Sequence, residues 1–219
     1  MLEDSMNIGI IGSGSVGQTL AKGFVKHGYT VMIGTREPSK LSEWKEREGN
    51  GVAIGTVAET ALFGSLLVLA VKGTAAKDAL NLAGPEHLEG KIVIDATNPI
   101  ADAPPTHGVL QFFTSLDNSL MEQLQAEFPN AHFVKAFNSI GGAYMVNPDF
   151  KGIKPTMFIC GNNEHAKKEV STILDAFGFD VEDMGSVEAA RAIEPLCMLW
   201  CIPGFLHNQW AHAFKLLKK

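Results

Sequence analysis

The feature that most constrains the fold is a glycine turn set between an apolar run and an amphipathic one. Asn7–Ile11 reads NIGII, short and apolar enough for a buried strand, and Gly12-Ser-Gly14-Ser-Val-Gly17 follows at once. Over residues 15–27, Val16, Leu20, Phe24 and Val25 share one helical stripe, ended by Gly28. Residues 29–34 then read as a second strand. Together these pieces make a βαβ unit of about 30 residues, enough for a parallel crossover. In such a unit the first glycine permits the tight turn, the second lets backbone approach a pyrophosphate, and the third lets helix and strand pack closely. The amides of Ser13, Ser15 and Val16, at the positive end of the helix, are expected to receive that anion.

The rest of the chain alternates short apolar runs with amphipathic stretches, the pattern of an α/β protein with a mainly parallel sheet. Helices are expected over 39–47, from Thr56 with Glu59 closing a capping box, over 74–83, 115–128 and 164–177. Strands are expected at 52–54, 66–70, 91–95, 131–136, 156–160 and 179–183. The near-uniform apolarity of 66–70 (LLVLA) suits a central strand covered on both faces. Residues 96–114 contain Pro99, Pro104 and Pro105 and read as a long irregular loop, as do 138–155. The C-terminus reads as two helices, 187–200 and 205–217, broken at Ile202-Pro203-Gly204. The fold class expected is a single Rossmann-type, doubly wound domain over 1–219, with residues 187–219 as a short helical cap.

The end of the second strand selects the dinucleotide. Where an NAD site places Asp or Glu, this chain has Ile33-Gly34-Thr35-Arg36, with Lys40 one turn on. A hydroxyl and a guanidinium suit a 2′-phosphate, which a carboxylate would repel, so the expected cofactor is NADP. Three later strand ends, Ala70-Val71-Lys72, Asn98 with Pro99, and Asn138, should line the nicotinamide end of the crevice.

Composition narrows the partners. A formal net charge of −6 and a pI near 5.6 leave no basic surplus for nucleic acid. The acidic start, Met1 to Ser5, lacks a secretory pattern, and the apolar stretches 61–71 and 195–206 fall short of a membrane span, so a cytoplasmic protein is expected. Cys160, Cys197 and Cys201 fit reduced core thiols, and no metal ligand set is recognisable.

The chain resembles the coenzyme F420-dependent NADP oxidoreductase family, whose fold also forms the cytoplasmic domain of the six-transmembrane metalloreductases. The resemblance runs through Gly12 to Gly17, Gly34-Thr35-Arg36 with Lys40, Lys135-Ala-Phe-Asn-Ser139, Phe158-Ile-Cys-Gly161 and Ala190-Arg191-Ala-Ile-Glu194-Pro-Leu196. It implies hydride transfer between NADPH and a flat small-molecule acceptor, coenzyme F420 or else FMN or FAD. Ser13 to Val16, Thr35, Arg36 and Lys40 match the family's NADP-contacting positions. Other readings are direct reduction of a small carbonyl or imine, and a non-catalytic NADPH sensor. Lys72, Lys135, Lys151, Lys154 and Arg191 are candidate cations for an acidic F420 tail. Arg191 and Glu194 read equally as a surface pair or as closing the acceptor pocket. His107 and His132 read as ordinary polar residues. Trp200, Phe205, Trp210 and Phe214 suggest a homodimer interface.

Overall fold

The structure is a computed structural model that describes residues 6–219, so the acidic start lies outside the described residues. In chain order it forms β1 (Asn7–Ile11), α1 (Ser15–Lys26), β2 (Thr30–Gly34), α2 (Ser42–Arg47), β3 (Val52–Gly55), α3 (Val57–Phe63), β4 (Leu66–Leu69) and α4 (Ala76–Ala83). There follow β5 (Ile92–Asp95), α5 (Leu120–Glu127), β6 (His132–Lys135), β7 (Thr156–Ile159), α6 (Glu164–Ala176), β8 (Asp180–Asp183) and α7 (Ala190–His207).

Six strands form a parallel sheet in the order β3-β2-β1-β4-β5-β6, the doubly wound Rossmann order. β7 and β8 form a second parallel pair, joined to β6 through an antiparallel bridge between Lys135 and Cys160. Side chains alternate across the main sheet. Ile8, Ile10, Leu66, Val68 and Ile94 enter one core with Phe24, Phe177 and Phe179. Ile11, Leu67, Leu69, Val93 and Phe133 enter the other with Leu80 and Met121. A strand buried on both faces has no polar face to show, which is why β4 reads as an unbroken apolar run.

The Thr56–Glu59 capping box forms as the spacing predicts. A second box, Ser119–Glu122, starts α5 at Leu120 instead of residue 115; Ser115 to Asn118 is a turn closed by its own bridge. Residues 99–113, expected to be irregular, return on themselves as an open hairpin pinned at Ile100–Phe112 and Thr106–Val109. His107 (φ 49°) and Gly108 (φ 80°) make its tip, where two successive positive φ values match the right-handed twist of the flanking chain. The prolines prevent a continuous ladder between the pins.

The C-terminus departs most from expectation. α7 runs unbroken through Pro195 and Pro203. Each interior proline costs about 3 kcal/mol. Against this, Ala190, Ile193, Glu194, Cys197, Trp200 and Gly204 form a continuous buried stripe, and large apolar side chains contribute roughly 1.5–3 kcal/mol each. The helical segment Val187–His207 therefore has 21 residues, and an 18-residue window within it has mean hydropathy 1.3, long and apolar enough to cross a bilayer, contrary to the sequence reading; 39% of that window is buried. Residues 208–219 are not helical. Trp210 folds back over Gly204, where any Cβ would strike the indole. Trp200 Nε1 donates to the His212 carbonyl at 2.9 Å, and the Thr156 amide donates to the Phe214 carbonyl at 2.8 Å, laying the tail beside β7. Of the aromatic run expected to meet a second copy, Trp200 is thus buried and Phe214 partly covered within the chain, while Phe205 and Trp210 remain exposed.

α7 is tied to α5 by Arg191, whose Nε and Nη2 bond Glu122 at 2.6–3.1 Å. Those bonds hold the Glu122 carboxyl down at about 2. With the folded value depressed, the stabilisation is present above about pH 4.5 and is lost as pH falls toward 2. Glu122→Gln should cost about 1–2 kcal/mol at pH 7, discounted for the partly exposed arginine, and much less at pH 3. Urea titrations of both proteins at the two pH values check this; a cost independent of pH contradicts it.

Candidate functional site

The glycine turn is fixed by close approach. Gly12 (φ 126°) donates its amide to the Gly34 carbonyl at 3.1 Å, and a Cβ on it would strike the Ala70 carbonyl. A Cβ on Gly17 would strike the Gly12 carbonyl, so α1 packs directly onto the turn. Gly14, the extended N-cap of α1, has nothing within 4 Å of where its Cβ would stand. α1 has no side-chain cap and no acidic residue in its first turn, so its leading amides and dipole remain available to an anion.

Ser13 Oγ donates to Thr35 Oγ1 at 3.2 Å, joining the turn to the end of β2. Arg36 is exposed, and among the described residues no carboxylate lies within ion-pair distance of it. Lys40 instead pairs with Glu37 at 2.8 Å. A cleft of about 370 Å³ opens here, lined by Gly12, Ser13, Gly14, Thr35, Arg36, Ala70, Val71 and Lys72 among the expected residues. Its far wall, Val57, Ala75, Asp78, Ala79 and Leu82, was not singled out from sequence. The spacing of 75, 79 and 82 on one face, ending in an exposed leucine, is the signal that marks it. Ser15, Val16, Gly17, Lys40, Asn98, Pro99 and Asn138 do not line this cleft.

Asn98 and Asn138 meet at the ends of β5 and β6. Asn98 Nδ2 donates to the Asn138 carbonyl at 2.8 Å; Asn138 Nδ2 donates to Asn98 Oδ1 at 3.3 Å and to the Ile193 carbonyl at 2.9 Å. With both neighbours of Nδ2 oxygens, the amide orientation is set. Asn138 Oδ1 is left buried without a partner among the described residues. Gly73 packs against the Asn98 carbonyl so closely that a Cβ would clash.

The candidate cations fare differently from expectation. Lys135 is fully buried, its Nζ 2.7 Å from Asp95 and 2.9 Å from Glu194. Burial alone would lower its pKa, but the two carboxylates outweigh that and raise it. Arg191 is spent on Glu122 and Lys154 on Asp175. Arg191 and Glu194 do not pair with each other; Glu194 points inward and accepts the Leu120 and Met121 amides at 3.0 Å. Lys72 lies 3.5 Å from Asp102 in an exposed pair, which holds it weakly. Burial pushes the Cys160 thiol up to about 12, so it stays protonated. Its hydrogen bond with Cys201, then burial, raises Cys197 strongly, while the same bond lowers Cys201. His107 sits at the exposed hairpin tip and His132 opens β6, at the end of the strand away from the crevice.

Residues 7–99 match the family model described as NADP oxidoreductase, coenzyme F420-dependent. The metalloreductase STEAP3 of Rattus norvegicus is 31% identical over 209 residues, covering 93% of this chain and 40% of that protein. The human metalloreductase STEAP2 is 29% identical, over 87% of this chain and 36% of that protein. The chain thus spans well under half the length of these curated relatives. An imine reductase from Aspergillus terreus shares the fold at 16% identity, with a TM-score of 0.67 over 94% of this chain and 64% of that one. A crystal structure of a protein assigned as an F420-dependent NADP reductase, from Arthrobacter sp. FB24, is 32% identical with a TM-score of 0.91, covering 98% of this chain and 100% of that one. With the Rossmann sheet order, the open glycine turn and a basic β2 exit already in place, this chain belongs to the coenzyme F420-dependent NADP oxidoreductase family.

Proposed function

We propose that the chain transfers a hydride between NADPH and a flat, flavin-like acceptor, coenzyme F420 or else FMN or FAD. The observation that carries this reading is the β2 exit: Thr35 and Arg36, which forms no ion pair among the described residues, stand beside the uncapped helix α1, where an NAD site would carry a carboxylate.

The chain's groups fit NADP. The open space at Gly14 and the amides of Ser13, Ser15 and Val16 suit the pyrophosphate. Thr35 and Arg36 suit the 2′-phosphate, with Lys40 adding positive field from its exposed pair. Ala70 and Val71 line the cleft and offer apolar surface to the nicotinamide, and the half-buried Asn98, held from behind by the buried Asn138, is the amide nearest to hand for its carboxamide. When bound, NADPH supplies the hydride. The protein's part is to hold two rings within roughly 3–3.5 Å in a water-poor slot, a task that needs no nucleophile. Lys72 is the cation best able to meet an acidic acceptor tail, since Lys135 and Arg191 are tightly paired and Lys151 and Lys154 stand beside the start of β7, away from the crevice. Exposed Phe113, Leu199 and Leu206 support a homodimer, and a one-chain mass by light scattering at micromolar concentration contradicts it.

Arg36→Ala should weaken NADPH binding at least about tenfold, ~1.4 kcal/mol, and leave NADH nearly unchanged. Equal NADPH affinity in variant and parent, measured by calorimetry, rules out the assignment of Arg36. In stopped-flow mixing with F420, FMN, FAD, a quinone or a ferric chelate, loss of NADPH absorbance is expected with a flavin-like acceptor. NADPH binding without oxidation by any of them supports a sensor instead.

A further inference from the structure

The proposed chemistry does not use the buried charged cluster Asp95–Lys135–Glu194 at the ends of β5 and β6. All three residues are at most 1% exposed. They come from three elements, and each lies next to a segment that touches the Asn98–Asn138 amide pair. Asp95 ends β5 and accepts the Thr97 amide and hydroxyl at 2.9 and 2.6 Å, fixing the residue before Asn98. Lys135 ends β6, three residues before Asn138, and donates from Nζ to the Thr97 carbonyl at 3.0 Å. Glu194 follows Ile193, whose carbonyl accepts from Asn138, and it also receives the first two amides of α5.

Thr97 is thus gripped at its amide, hydroxyl and carbonyl by the cluster, and Asn138 is gripped by Asn98 and by α7. We infer that Lys135 is a positioning residue: with Asp95 and Glu194 it sets the Asn98–Asn138 pair at the height and orientation that seats the nicotinamide. It does so without touching the cofactor. This inference rests on the NADP reading above and adds what holds the nicotinamide end in register. Burying three charges is an expensive way to stabilise a fold, since well-packed apolar groups do as well or better. A role in fixing geometry gives that cost a reason.

Lys135→Met alone leaves two buried carboxylates uncompensated and is liable not to fold. The charge-balanced Lys135→Met/Asp95→Asn variant removes one charge of each sign, keeps an acceptor for Thr97 and leaves Glu194 on the α5 amides. Calorimetry with NADPH and with 2′,5′-ADP, which lacks the nicotinamide, separates the two ends of the site. In the parent, NADPH should bind at least about tenfold tighter than 2′,5′-ADP; in the double variant that preference should fall to about one, with 2′,5′-ADP affinity unchanged. A preference retained in the variant overturns the inference. So does equal loss of both ligands, which marks the cluster as general support. A parent that fails to bind 2′,5′-ADP at all removes the NADP reading itself, a result distinct from either.

Discussion

Backbone contact at the glycine turn is the constraint on which the rest of the site depends. The Gly12 and Gly17 positions are so near the Ala70 and Gly12 carbonyls that no side chain fits, so β1, β4 and α1 converge on one point. That convergence leaves α1 without a side-chain cap, with its amides facing open space at Gly14. A helix end left this way is tolerable where an anion completes it. The β2 exit lies beside it through the Ser13–Thr35 hydrogen bond, so the open helix end and the basic β2 exit are parts of one local geometry.

At the other end of the crevice, charge takes the place of close packing. Asp95, Lys135 and Glu194 tie β5, β6 and α7 together where no water reaches. Arg191 and Glu122 repeat the connection nearer the surface. Because Glu194 sits on the α5 amides, the start of α5, the path of α7 and the turn at Thr97 are set jointly.

Local pattern made most of the sheet legible: NIGII, LLVLA and the capping box at Thr56 announce β1, β4 and α3 without tertiary help. The cleft itself was equally legible, because Gly12, Gly14 and Arg36, which line it, stand close to one another in sequence. Where long-range packing decides, local rules failed. Pro203 argued for a helix break, yet the buried stripe from Ala190 to Gly204 carries α7 through it. Lys135 read as a candidate cation for an acidic tail because its partners stand 40 and 59 residues away in sequence. The α4 wall of the cleft was missed for a related reason: its small residues matter only once α4 is set against the β2 exit.

The proposed hydride transfer from a nicotinamide held in this cleft implies that one face of the ring gives up its hydrogen. Single-turnover rates with NADPH deuterated at one or the other hydrogen of C4, against the flavin-like acceptor that the mixing assay selects, test it most directly. A marked slowing with one isotopomer and none with the other is the predicted result. Equal rates with both, or slowing with both alike, would contradict transfer from a fixed nicotinamide face.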